Sequence, residues 1–328
     1  MERKIIMKTV LSFSVGFLLA VYLLFSVHHT RAGEWDLGEH VEEFDACDSV
    51  ILHFDGKTWN HMFHGFGMWL NDIYGFDSND IFAVGEQGVI LHYDGQSWTK
   101  QKSPTTQRLN RIWGSSRKDI YVCGDFGTML HFNGMEWKKY DTTMVDWCRG
   151  IWGFDEKHIF VTGNLGKVFR YDGEKWLERT IGTKDSMYDI SGSSMKNVYA
   201  VGEYGTVVYY DGKNLKKLKP FTSKTLTSVW TLDQKNVYVA GADGFISHYD
   251  GSKWTRQTSG TSHWLRKIWG IDAQNIFVVG DHATILYYDG KTWKTHKSGT
   301  NYSFSGIWGN SRDNVYAVGV NPAGLYEH

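Results

Sequence analysis

The sequence predicts an all-β fold, a seven-bladed β-propeller made of four-stranded antiparallel blades. Three observations predict it. A unit of 39 residues repeats along the chain, each unit carries four short strand signals, and the half-unit missing at the C-terminal end stands alone near the N-terminal end.

The period is read from Gly75, Gly114, Gly153, Gly192, Gly270 and Gly309, which occupy the same local phrase, with Thr231 in the remaining place. Strand a of each unit ends in Ile-Trp-Gly or a close variant. Strand b is apolar at consecutive positions, as in residues 81–84, so both of its faces are buried, as when one sheet stacks between two others. Strand c follows the pattern of residues 89–93, and strand d surrounds Trp98, Trp137, Trp176, Leu215, Trp254 and Trp293. Between b and c stand Glu86-Gln87, Asp125-Phe126, Asn164-Leu165 and Glu203-Tyr204, each flanked by Gly, which predicts two-residue hairpin turns.

The ends of the chain decide between a ring and an open solenoid. The last repeat starts at Phe304 and lacks its Asp-Gly-x-x-Trp half. That half occurs at residues 50–59, with Asp55 standing 39 residues before Asp94. Seven a–b halves and seven c–d halves then close a ring, whereas a solenoid would want polar caps. Residues 50–62 are therefore assigned to the last blade. Residues 325–328 offer a rival third strand, which would move the seam by one strand.

The domain division follows: 1–32 an export signal or membrane anchor, 33–49 a linker, and 50–328 the propeller. Arg3, Lys4 and Lys8 precede a charge-free apolar run over residues 10–27. Its 18 residues are long for a signal and just enough for a membrane span. Ser12, Ser14 and Gly16 dilute the run and favour cleavage after Ala32 over a retained anchor with membrane association through residues 10–27. Either form places the rest of the chain outside the cytoplasm, periplasmic or extracellular.

Composition fits this organisation. The 328 residues are 41% hydrophobic, enough for a large core, and 36 Gly with 3 Pro fit short strands and tight turns. Lys and Arg total 35 against 36 Asp and Glu, so there is no net basic field for nucleic acid. Three Cys exclude a disulfide-stapled scaffold, and no CxxC spacing indicates zinc. Cys123 and Cys148 fall in neighbouring repeats; pairing between them would leave Cys47 over. No calcium loop of the Asp-x-Asp-x-Asp-Gly kind is present.

The Asp-Gly-Lys-Thr-Trp phrases resemble a shortened Asp-box, the turn of bacterial neuraminidase repeats. The whole unit is similar to repeats of secreted bacterial propellers and, more distantly, to the photosystem II stability/assembly-factor propellers. The resemblance covers residues 50–328 and implies a propeller. It carries no catalytic residue over, since there is no Phe-Arg-Ile-Pro segment and no matching arginine trio with a Tyr nucleophile.

Candidate site residues are those that depart from the repeat. Eleven of the 15 Trp recur at repeat positions and read as packing. Trp35 lies in the linker, while Trp69, Trp147 and Trp264 share one offset, where the d–a connection meets strand a. They fall in repeats 1, 3 and 6, which argues against one continuous platform and leaves ligand stacking and inter-blade packing both open. Arg108, Arg111, Arg149, Arg266 and Lys267 cluster at the same place, with Asp72 and Asp189 at the offset of Arg111 and Lys267. They are read either as a partner-binding rim or as a solvated one with balanced charges. His53, His92, His131 and His248 recur in strand c, interchange with Tyr and Arg, and read as strand-surface residues rather than metal ligands. Lys100, Lys102, Lys138, Lys139, Lys216 and Lys217 fit protection of an outer strand edge.

The sequence thus predicts an exported scaffold that binds a protein partner on the face shared by d–a and b–c loops. No catalytic constellation, cofactor or metal site is expected. A carbohydrate-active propeller is the alternative, resting on the Asp-box-like turns and the spare Trp residues.

Overall fold

Residues 49–65, 69–142, 144 and 147–321 are described by the structure, a computed structural model. The expectations for residues 1–48, including Trp35, Cys47 and the apolar run, and for residues 325–328, lie outside the described residues. Among the described residues, twenty-eight strands form seven antiparallel sheets of four. Blade 1 shows the unit: strand a is Leu70–Asp77, b Asp80–Gly85, c Ile90–Tyr93 and d Trp98–Lys100. Five further blades follow in chain order.

The seventh blade joins the two ends of the chain. Its strands a and b are Ser303–Ser311 and Asn314–Val320, and its c and d are Ser49–Phe54 and Trp59–Gly65. Ser49 pairs with Val320 and Phe54 with Val315, so the N-terminal strand adds directly to the C-terminal one. The ring closes as the half-unit arithmetic requires.

Each repeated residue has a physical task. Strand b is buried in every blade from its second residue onward. In blades 2, 5, 6 and 7 the strand-a Trp lies on the strand-a Gly of the next blade, and in blades 1 and 3 Phe76 and Phe154 take that place: a Cβ on Gly153 would come within 2.5 Å of Trp113, and one on Gly270 within 2.8 Å of Trp230. The d-strand Trp packs on the aromatic ring that ends strand c, with centroids 5.2 Å apart for Tyr93–Trp98 and 5.0 Å for Phe132–Trp137. Trp59 and Trp137 are buried, and stacked blades gain about 0.5–1.5 kcal/mol per aromatic pair beyond the area term.

The c–d turns are Asx turns. Asp94 Oδ1 accepts from the amides of Gln96 and Ser97 at 2.8 and 2.9 Å, and Asn133 does the same in blade 2. Strand-c His residues bond the start of strand b: His92 Nε2 to Asp80 and His131 Nε2 to Asp119, both at 2.7 Å. Tyr287 donates to Asn275 at the same spacing, which explains the interchange of His and Tyr there. Lys100, Lys139 and Lys217 are exposed on the outer d strands.

The b–c connections differ from the expected two-residue turns. They are three-residue turns, 3-10 in blades 1, 2, 4 and 5, such as Glu86–Gly88 closed by Val89 N donating to Glu86 O, while in blades 3 and 6 Lys167 N and Thr284 N close residues 164–166 and 281–283 in the same way. The second residue is left-handed in each: Gln87, Phe126, Leu165, Tyr204, Asp243 and His282 have φ of 52–57°. The third is a Gly with positive φ in five of them, and Ala283 in the sixth. Cys123, at the end of strand b in blade 2, is disulfide-bonded to Cys148, at the start of strand a in blade 3, with Cα atoms 5.7 Å apart.

Candidate functional site

Seven a strands surround the central axis, so residues one repeat apart form rings about it. Three such rings lie at the end where d–a connections meet b–c turns. That proximity is fixed by backbone: Glu86 N donates to Trp69 O at 2.8 Å, and the same bond joins Asp125 to Arg108 and Asp281 to Trp264. Gly85 is required beside it, because a Cβ there would lie 1.8 Å from Trp69 O.

The outermost ring holds Trp69, Arg108, Trp147 and Trp264. The second holds Asn71, Asn110, Arg149, Tyr188 and Arg266. Both line one cavity of about 460 Å³ on the axis. The three Trp therefore meet in one place although their blades are not consecutive, because blades that are separated around the ring face each other across its axis. Seven of the eight predicted site residues line the cavity; Lys267 does not.

The arginines differ in how they are compensated. Arg266 lies over Trp264, 5.1 Å from the ring centroid, and grips Asp281 through two bonds of 2.8 and 2.7 Å. Arg108 pairs with Glu86 at 3.1 Å and bonds Asn71 Oδ1 at 3.1 Å. Arg149 stands between the rings of Trp147 and Tyr188, at 5.2 and 5.3 Å, and its Nε donates to the neutral amide oxygen of Asn164 at 2.8 Å. Burial pushes its pKa down, opposed by Tyr188 and Asp125. Tyr188 in turn donates to Glu203 at 3.1 Å, and burial with that carboxylate raises its phenol. Cation–π stacking orients the guanidinium planes of Arg149 and Arg266.

The third ring forms the floor. Lys267 reaches across two blades to both oxygens of Asp189, at 2.9 and 3.0 Å. Asp189 also accepts from Val229 N at 3.1 Å and from the Ser228 hydroxyl. Asp72 is buried and accepts from Ile112 N; burial pushes its pKa up, opposed by Arg111 and Lys267. Asp189 and Lys267 thus satisfy each other inside the channel. Arg111 borders the cavity and has its Nη1 on the Asn110 carbonyl.

Sequence reasoning missed Asn71, Asn110 and Tyr188. The signal was present: they share the offset of Arg149 and Arg266, two residues after the Trp69 offset. No group of three or more His, Cys, Asp or Glu able to hold a metal ion occurs among the described residues.

No protein-family model matches the chain, and no curated protein matches it in sequence. Solved propellers do match in structure. One is YCF48 bound to D1 peptide, 17% identical with a TM-score of 0.64, covering 77% of this chain and 89% of that one. YCF48 from Cyanidioschyzon merolae is 14% identical, TM-score 0.62, covering 76% and 95%. The WD40 propeller domain of Doa1 is 12% identical, TM-score 0.65, covering 81% and 96%. At these identities the likeness is one of fold.

Proposed function

We propose that the chain is an exported, non-catalytic scaffold that holds a segment of a protein partner in the axial cavity. The observation that carries this reading is Arg149, clamped between Trp147 and Tyr188 on the cavity wall with no carboxylate on its Nε. Aromatic and Arg side chains in a desolvated pocket are the residue types that dominate protein recognition. The YCF48 propeller bound to a D1 peptide supports a protein ligand in kind. Export is supported by the basic start and the apolar run over 10–27, and by the Cys123–Cys148 disulfide, which fits an oxidising compartment. A retained anchor would hold the propeller at a membrane.

The test is cross-linked capture from the native host, compared between wild type and Trp147→Ala/Arg149→Ala. One dominant protein, lost in the double variant, is expected. Equal retention by both forms removes the cavity from the binding role. A glycan-binding reading is favoured by one observation, the partial exposure of Trp147 and Trp264 at the mouth. Silence across a broad glycan panel ends it.

A further inference from the structure

Phe126, Leu165 and Tyr204 stand at the tips of the b–c turns of three consecutive blades, 2, 3 and 4. Their relative exposures are 67%, 53% and 70%. Each is also left-handed, with φ of 54°, 57° and 53°. That conformation suits Gly and Asn and disfavours bulky side chains. Three large apolar groups thus sit in water, in a backbone state they resist, with no core to fill. The equivalent tips of blades 1, 5 and 6 are polar: Gln87, Asp243 and His282.

These tips continue the cavity wall. Asn110 bonds Asp125 at 2.8 Å, Arg149 bonds Asn164 and Tyr188 bonds Glu203. Each bonded turn residue immediately precedes an apolar tip. Phe126 also meets Trp147 edge-to-face at 6.2 Å, which joins the blade 2 tip to a ring on the cavity wall. Large exposed apolar side chains gathered on consecutive blades beside a cavity mark an interaction site.

We infer that this arc is the track by which the bound partner leaves the cavity. Resting on the reading of the cavity as a peptide site, it assigns the ligand a chemistry and a direction. The partner segment lies across blades 2–4, with apolar side chains flanking the part held at Arg149. The polar tips on blades 1, 5 and 6 do not offer that path.

The experiment uses the full chain. Random twelve-residue displayed peptides are selected on wild type, and the enriched clones are measured against three variants. Phe126→Asn/Leu165→Asn/Tyr204→Asn removes the arc, Gln87→Asn/His282→Asn alters the opposite tips, and Trp147→Ala/Arg149→Ala removes the cavity wall. Because Asn accepts left-handed φ, the first variant is expected to melt no lower than wild type while binding roughly tenfold more weakly, about what one or two lost apolar contacts cost. The second is expected to bind as wild type. Clones that lose the cavity variant but bind the arc variant equally overturn the track and leave the cavity reading intact. Clones indifferent to both variants, or no enrichment, overturn both. If the triple variant melts lower, Tyr204→Asn alone carries the same comparison.

Discussion

The two ends of the ring obey different rules. At the end carrying the Asp-Gly turns, every blade does the same thing: an Asp or Asn oxygen takes two amides, a left-handed Gly follows, and a Trp or Leu starts strand d. At the cavity end the backbone repeats but the side chains do not. Trp, Arg, Ser and Thr share one ring, and Asn, Arg, Tyr, Thr and Ser share the next. The difference teaches that repetition in this chain records packing, and departure from it records recognition. A residue's role follows from whether its six counterparts agree with it.

The largest effect should come from breaking that rule in the packing layer. Trp137→Ala empties a buried site and is expected to cost about 3–5 kcal/mol, read by urea unfolding. Trp264→Ala, at a half-exposed cavity position, should leave stability nearly unchanged. Equal losses in the two variants would erase the distinction between packing and recognition Trp residues.

A middle-sized effect is expected at the backbone contact beneath the cavity. Gly85→Ala would force the d–a connection away from Trp69 O and should cost about 1–3 kcal/mol. Gly85 has φ of −170°, which any residue adopts, so the cost is one of space alone. Unchanged unfolding would show that this connection yields freely, and that the cavity rim is softer than its hydrogen bonds indicate.

The smallest effect concerns acid. The Asx-turn carboxylates of Asp55, Asp94, Asp172, Asp211, Asp250 and Asp289 are held below the usual range, chiefly by turn amides and, in Asp211 and Asp289, by a Lys side chain. Asp250 is held at about 2. A carboxyl depressed on folding adds stability above its unfolded pKa of 3.8, and that contribution fades as pH falls through the lower folded value. Asp94→Asn keeps both amide bonds, as Asn133 does, but cannot titrate. It should be slightly less stable than wild type at pH 7, having lost the charge-assisted part of those bonds, and should lose less than wild type between pH 7 and pH 3. The same acid loss in both would show that these turns do not contribute to the acid limb.

Much of the fold was legible because a 39-residue period and a complementary half-unit leave few ways to close the chain. Strand b announced its burial through consecutive apolar residues, and strand c its surface role through His–Tyr interchange. The cavity was only half legible. Offsets identified Trp69, Trp147 and Trp264, but linear distance along the ring hides proximity across its axis. Compensation was hidden too: Arg266 and Arg149 share an offset, and only the structure separates a guanidinium cancelled by Asp281 from one resting on Asn164. The turn tips escaped notice because φ is invisible where a Phe, Leu or Tyr stands in place of Gly or Asn.

The seam in blade 7 sets an order of events during synthesis. Strand c of that blade is among the first parts of the propeller to be made, and its partner over Asn314–Val320 is among the last. Val50, Ile51 and Leu52, fully buried in the closed ring, lack their strand-b partner until then. Six blades can assemble as they are translated, yet the nascent protein carries an unpaired, sticky hairpin throughout. Holding that hairpin apart from other chains is a task for the cell's folding machinery, and it ends only when the last strand is made.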